Sequence, residues 1–307
     1  MDIEQIKCVV AVAHCGTFLE AAFQLNRSQS SVSKNVRRLE EELGISLFER
    51  TTRKVALTQA GEDFVAYGEQ ILTAYECILN SVDRHLHTNI NNLNIGSIYF
   101  GINNRLAPLI ARFLKLHPTM EIDMKEGTTT PLLKSLRTRE LDVVFVSSMY
   151  NPETEHSHFT DEPEFRSFSC FKDPYYVIVS RNHRFANRKS LSYPELAGES
   201  FIATDRTMDV YHTAMQKKFA SYEIPFNIIM YCTNIRSVLH MVSQNVGIAI
   251  LSKQVVEEDD DLCMIPLEDG MIRDTQMLVL NDRELAPHIR AFYRFVKEQI
   301  QTYGDAI

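Results

Sequence analysis

The sequence predicts a multidomain α+β protein in which a helical N-terminal region precedes a larger α/β region. Three observations carry that expectation. The chain has 307 residues, more than a usual single domain, so two or three domains are expected. Up to about residue 90 the apolar residues recur almost entirely at helical spacing. Beyond that point strand-like apolar runs alternate with helical patterns, which predicts a parallel α/β sheet. Hydrophobic residues make up 45% and charged residues 23%, the profile of a soluble globular protein with real cores.

The elements follow in order. Ile3, Ile6, Val9, Val10 and Ala13 mark a first helix, which Gly16 stops. Thr17 and Glu20 have the spacing of a capping box and open a second helix, FLEAAFQL, ending near Asn26. A third helix begins at Ser28, carries Val32, Val36, Leu39 and Leu43 on one face, and stops at Gly44. Three short helices with tight turns are the skeleton of a helix-turn-helix unit. In LFERTTRKVALT the KVAL segment alternates like a short strand, which predicts a two-stranded wing. A long helix runs from Thr58 to about His87. Its stripe Ile71, Tyr75, Ile78, Val82 and Leu86, with Phe64 upstream, predicts a dimerisation element, packing onto its own domain being the alternative.

In the second region LNIGSIYFG, MEIDMKEG and LDVVFVSS read as strands, with helices RLAPLIARFLKLHP and PLLKSLRTRE between them. YYVIVS, a helix from about Val210 to Ser221, FNIIMYC, IRSVLHMVSQ, GIAIL, MLVL and PHIRAFYRFVKEQIQ complete the chain. Two similar α/β units are expected, with a crossing near residues 165 to 172 and a return near 264 to 276. The predicted boundaries are 1–58 for a winged helix-turn-helix domain, 59–88 for a linker helix and 89–307 for the α/β region. Within the last, subdomain I covers about 89–164 and 268–307, and subdomain II about 165–267.

Charge is distributed unevenly. The net charge is −8, yet residues 27 to 54 hold seven Lys or Arg. Overall acidity excludes indiscriminate coating of nucleic acid but permits a local basic face. No run of about 18 apolar residues is present to span a membrane, and acids precede the short apolar patch at the N-terminus, the wrong order for a secretory signal. The six cysteines are scattered without a CxxC, which suits a reducing cytosol. In a helix-turn-helix the second helix of the pair enters the major groove N-terminus first. Ser28, Gln29, Ser30 and Ser31 stand at that end, and Gln29 and Ser31 suit base edges. Ser33, Lys34 and Arg37 reach base edges or phosphate, and Arg50, Arg53 and Lys54 lie at the wing. Charge alone favours a solvated face, since RRLEEEL also forms ion pairs along the helix.

The order of residues is more specific. A-A-x-x-L at 21–25, S-Q-S-S-V-S at 28–33, R-L-E-E-E-L-G at 38–44, L-F-E-R at 47–50 and L-T-Q-A-G at 57–61 resemble the signature of LysR-type transcriptional regulators. Weaker matches follow in I-G-S at 95–97, H-P at 117–118, L-D-V-V-F at 141–145 and V-G-I-A-I-L at 246–251, which resemble that family's effector-binding domain. Ser30 departs from the proline frequent at that position, and TTRK replaces the commoner Gly-containing wing tip. The resemblance implies operator DNA as partner, a homo-oligomer that is usually a dimer of dimers, and two α/β subdomains like a periplasmic binding protein with a small-molecule cleft.

Ligands of open α/β sheets sit outside the carboxyl ends of the strands. Four predicted junctions there are polar or small: 99–104, 127–130, 203–207 and 233–234. The candidate effector residues are Tyr99, Phe100, Gly101, Asn103, Thr128, Thr129, Thr204, Asp205 and Asn234. Tyr99 and Phe100 fit core aromatics equally well. Thr130 before Pro131 has the pattern of an N-cap. Helix N-termini favour anions, so a small anionic or polar effector is expected. His156 and His158 read as part of a solvated loop, with metal binding or a pH response as the alternative. Cys232 reads as a buried thiol, with redox sensing as the alternative. No catalytic, metal or cofactor motif stands out, so neither an enzyme nor a cofactor is expected; an α/β enzyme tethered to DNA is the rival class.

Overall fold

The computed structural model describes residues 1–50, 55–86, 92–98, 105–150, 162–204, 209–232, 234–253, 256, 260–281 and 285–303, except for the side chains of 50, 76, 80, 81, 83–86, 209 and 303. It divides into two compact units, Met1–Thr88 and Asn89–Ile307.

Unit 1 opens with α1 (Ile3–Cys15), α2 (Phe18–Gln24) and α3 (Gln29–Leu43). Asp2 and Gln5 form a full capping box at the start of α1, a signal the sequence reading passed over. At α2 the predicted box is half made. Thr17 accepts from the Glu20 N–H at 3.2 Å, but the Glu20 carboxylate returns to the Thr17 hydroxyl at 3.1 Å instead of to its backbone. Ser28 caps α3, and Gly44 ends it at φ 71°, a left-handed conformation that a Cβ would strain. Val32, Val36 and Leu39 are buried as the spacing predicts, together with Cys8, Val9, Val12 and Ala21. Leu43 is the exception. It is 42% exposed, because it lies in the last turn of α3, past the residues that cover the other three.

The wing is β1 (Phe48–Arg50) antiparallel to β2 (Val55–Leu57), with Phe48 opposite Leu57. Then α4 runs from Gln59 to Leu86. Its first turns join the unit 1 core through Phe64 and Val65. Tyr75 turns towards α1, with Lys7 Nζ 5.4 Å from its ring centre. Of the remaining stripe, Ile71, Ile78 and Val82 are 40%, 61% and 51% exposed, and the side chain of Leu86 lies outside the described residues.

Unit 2 contains β3 (Asn92–Ile98), α5 (Ala107–Leu116), β4 (Glu121–Gly127), α6 (Thr129–Arg137), β5 (Val143–Tyr150) and the long β6 (Phe165–Ser180). After a 3-10 turn at Tyr193–Leu196 come β7 (Phe201–Thr204), α7 (Asp209–Ser221), β8 (Ile228–Cys232), α8 (Ile235–Ser243), β9 (Ala249–Ser252), β10 (Leu262–Pro266), β11 (Ile272–Leu280) and α9 (Pro287–Tyr303). Among the described residues, six strands are ordered β10-β6-β11-β5-β3-β4, and β9 also pairs with β6. The sheet is mixed. β3 is parallel to β4 and β5, and β7 to β8, as expected. β6, β9, β10 and β11 pair antiparallel, against the expectation of a parallel sheet. β6 changes partners part-way: residues 165–174 pair with β11, and residues 175–180 with β9 and β10.

Both faces of these strands are covered, which explains their continuous apolar runs. Val143 and Phe145 of β5 pack with Phe113 of α5 and Phe292 of α9, while Val144 and Val146 pack with Leu132 and Leu136 of α6. Val177 and Val179 of β6 pack with Met215 and Phe219 of α7, and Ile178 packs with Val238 and Val242 of α8. Each such apolar side chain stabilises by about 1.5–3 kcal/mol when fully buried. No single described helix is long and apolar enough to cross a membrane.

Candidate functional site

The candidate site has two parts, one in each unit. In unit 1 the buried row of α3 leaves its opposite face to solvent. Ser28, Gln29, Ser30, Ser33, Lys34 and Arg37 are exposed, and Ser31 is half-buried. The Ser28 hydroxyl accepts from the Ser31 N–H at 3.2 Å and lies 3.1 Å from the Ser30 hydroxyl. Such a cap is worth about 1 kcal/mol. Arg37 donates to Glu41 at 2.8 Å along the helix, so part of the basic stretch is the ion-paired face the sequence also allowed. Lys34 has no ion-pair partner among the described residues. Arg53 and Lys54 lie outside the described residues, and so does the side chain of Arg50.

Two residues that the sequence reading did not single out orient the wing. Glu40 accepts from the backbone N–H groups of Leu47 (2.7 Å) and Phe48 (3.2 Å), tying β1 to α3. Thr58 donates to Ser46 O at 2.8 Å and accepts from the Gly61 N–H at 3.0 Å. A Cβ on Gly61 would sit 2.1 Å from Leu47 O, so only glycine admits this close crossing. Glu40 and Gly61 both belong to the matched motifs, which was the available signal.

In unit 2 the register sets strand ends beside one another: Ile98 pairs with Gly127 at the ends of β3 and β4, and Thr204 pairs with Cys232 at the ends of β7 and β8. Thr128, not Thr130, is the N-cap of α6, because the helix begins two residues before Pro131; its hydroxyl makes no capping bond. Thr129 is buried and donates to Ser147 O at 3.3 Å. Thr204 is 4% exposed, and its buried hydroxyl has no partner. The Thr204 carbonyl lies 3.2 Å from His212 Nε2. Asn234 caps α8 by accepting from the Arg236 N–H at 2.8 Å. Met149 of β5 packs in one cluster with Tyr211 of α7. Tyr99, Phe100, Gly101, Asn103 and Asp205 lie outside the described residues.

A buried polar cluster lies where β6 changes partners, and the sequence reading missed it. Arg273 donates to Asp173 at 3.1 Å, and both are under 9% exposed. Arg105 lies 4.0 Å from the same carboxylate. Asp274 accepts from Ser169 (2.5 Å) and Gln276 (2.7 Å). Two arginines face two aspartates, so the cluster is close to neutral.

Two family models match nearly the whole chain: a bacterial regulatory helix-turn-helix protein of the lysR family over residues 3–62, and a LysR substrate binding domain over residues 89–301. The chain belongs to the LysR family. It is similar to the Hca operon transcriptional activator HcaR of Escherichia coli K12, with 26% identity over 98% of each chain. It is also 29% identical to a hydrogen peroxide-inducible genes activator of Haemophilus influenzae, over 83% of this chain and 81% of that one. Its fold matches HinK, a LysR family transcriptional regulator from Pseudomonas aeruginosa, with a TM-score of 0.56, 23% identity and coverage of 97% and 98%.

This LysR-type transcriptional regulator therefore joins a DNA-binding helix-turn-helix to an effector-binding domain. The redox alternative finds little support in Cys232, which is buried; burial raises its thiol pKa and so disfavours the reactive thiolate. His156 and His158 lie outside the described residues.

Proposed function

We propose that the exposed face of α3 reads operator bases, and that a small polar or anionic effector in unit 2 biases that reading. The division of α3 supports this most: Val32, Val36 and Leu39 are buried in the core, while the polar row faces solvent and is paired only within the helix, at the Ser28 cap and at Arg37–Glu41. Gln29 and Ser31 address base edges, while Ser33, Lys34 and Arg37 reach bases or phosphate. Ser28 and Ser30 stand at the helix N-terminus, which attracts a phosphate. Arg50, Arg53 and Lys54 add phosphate contacts from the wing.

The effector is held by Thr128, Thr129, Thr204 and Asn234, together with Tyr99, Phe100, Gly101, Asn103 and Asp205. The buried hydroxyl of Thr204 supports that assignment, because a buried polar group without a partner is rare and a ligand can supply the missing bond. The effector alters DNA binding only if it prefers one arrangement of the subdomains, with 89–164 and 268–307 moving against 165–267. The protein acts without catalysis, cofactor or metal, as a cytoplasmic homo-oligomer assembled from dimers. The exposed stripe Ile71, Ile78 and Val82 supports pairing through the 59–88 helix, with 1–58 as the DNA-binding domain and 89–307 as the sensor.

Selection from a random duplex pool tests this reading. The wild-type protein should enrich a motif whose halves are related by two-fold symmetry. Ile78→Asp, which puts a charge into the proposed seam, should leave only half-site enrichment and reduce the dimer in sedimentation. Absence of enrichment by the wild type contradicts the DNA-reading proposal, and dimers unaffected by Ile78→Asp contradict the seam.

A further inference from the structure

We propose that the strand crossing of unit 2 holds the acidic group of the effector, with the Ser252 hydroxyl and the Arg273 Nε–H as its donors. The ligand is a small molecule carrying a single carboxylate. This rests on the reading of unit 2 as the sensor, and adds to it a class of ligand and two residues outside the junctions named above.

The register puts both donors on one face of the sheet. Arg273 of β11 lies between Met149 of β5 and Asp173 of β6. Two residues along β6, Tyr175 lies opposite Ser252 of β9. Directly paired residues share a face, and so do residues two apart on one strand. Met149, Arg273, Asp173, Tyr175 and Ser252 therefore form one row across four strands. The core agrees. Met149, Tyr175, Val177 and Ile250 belong to one cluster with Tyr211 and Met215, so this is the face that α7 covers. The Tyr211 hydroxyl donates to Ile250 O at 2.8 Å, two residues before Ser252.

Within that row two polar groups are left over. Arg273 is 6% and Ser252 1% exposed. One Nη of Arg273 donates to Asp173 at 3.1 Å, but its buried Nε–H has no acceptor, and the buried Ser252 hydroxyl has no partner. Such groups are rare, because each has given up its hydrogen bonds to water for nothing. An Nε–H only donates and a hydroxyl can donate, so the group that satisfies both is an acceptor. An ionised carboxylate has two oxygens that only accept, and a guanidinium bonds it more strongly than it bonds a neutral carbonyl. Asp173 limits the charge. A dianion such as a phosphate monoester would meet that carboxylate in a weakly screening interior, so the row admits one negative charge. Burial pushes the Tyr175 hydroxyl up to about 12, against the pull of the Arg273 charge, so Tyr175 stays neutral at ordinary pH. The apolar surfaces of Met149 and Tyr175 in the same row suit a short carbon skeleton.

Calorimetric titration of the full chain with propanoate and with benzoate, each beside its uncharged amide, tests the site. At least one carboxylate should bind, about tenfold or more tightly than its amide, the share of one charged hydrogen bond. Ser252→Ala should weaken that carboxylate by a similar factor. Without ligand the same variant should melt no lower than the wild type, since it removes a hydroxyl that bonds to nothing; a residue with a purely structural role would melt lower. Thr128→Val and Thr204→Val, titrated alongside, report on the junction residues by themselves, so failure of this site and failure of that earlier assignment are distinguishable. The proposal is overturned if neither carboxylate binds, if the amide binds as tightly, or if inorganic phosphate binds more tightly than both. It is overturned too if Ser252→Ala keeps the wild-type affinity, or if that variant melts several degrees lower, which would mean that the hydroxyl serves the fold.

Discussion

Among the described residues unit 1 buries one polar side chain, that of Gln5, whereas unit 2 takes many of its own inside. Gln29, Ser33, Lys34 and Arg37 of α3 face water, but Asp173, Thr204, Ser252, Arg273, Asp274 and Gln276 are all buried in unit 2. A surface that meets DNA leaves its charges solvated until phosphates replace the water. A domain that encloses a small molecule desolvates polar groups in advance, and each then needs a partner. Substitutions in the two units should therefore fail differently: on α3 they should show in DNA binding, and in unit 2 they should show first in stability.

The largest expected effect is at the strand crossing. Asp173→Asn leaves Arg273 buried beside a neutral amide, and loss of a buried partner costs about 3–5 kcal/mol. Urea unfolding measures this, and a loss below about 1 kcal/mol, the range of an exposed pair, would erase the contrast between the units. Next, Gln29→Ala should reduce discrimination between bases by about 1–3 kcal/mol, while unfolding stability stays within about 0.5 kcal/mol of the wild type. Thr204→Val should go the opposite way from Asp173→Asn. It removes a buried hydroxyl that has no partner, so the ligand-free protein should gain about 1 kcal/mol in the same assay. A clear loss would mean that the hydroxyl is satisfied within the protein.

The smallest effect concerns an exposed carboxylate of unit 2, which should behave as unit 1 does. The Ser192 backbone N–H, then Arg188 and the Ser192 hydroxyl, hold the Glu195 carboxyl at about 2, below the ordinary carboxylate value. Its contribution is present above that ordinary value and is lost as pH falls towards 2. An NMR titration should find this value low in the wild type and raised in Arg188→Gln; an ordinary value in the wild type would remove the turn's acid sensitivity.

The sequence was most legible where contacts are local. Gly16 and Gly44 end α1 and α3 as expected, and the row Val32, Val36 and Leu39 is buried. Leu43 misled because periodicity does not say where the packing partner stops. In unit 2 the apolar runs revealed strands but not their directions, so antiparallel β6 and β11 came as a correction. β7 and β10, only four and five residues long, offered too little pattern to be singled out. The Asp173–Arg273 pair was illegible because a charged residue in a strand reads as solvent-facing; only the register shows Arg273 between Asp173 of β6 and Met149 of β5. Thr204 ends β7, and Asn234 follows β8 by two residues; that Asn234 caps its own helix required the hydrogen bond to be seen.

Salt-resolved binding isotherms test most directly whether α3 reads bases. A duplex selected by the wild-type protein and its scrambled counterpart are each titrated with wild type, Gln29→Ala and Lys34→Ala over a range of salt concentrations. Gln29→Ala should narrow the gap between the two duplexes and leave the salt slope unchanged. Lys34→Ala should weaken both duplexes alike and lower the slope by about 0.9, the share of one phosphate. Equal weakening of both duplexes by both variants, with the gap intact, would contradict the assignment of α3 as the reading helix.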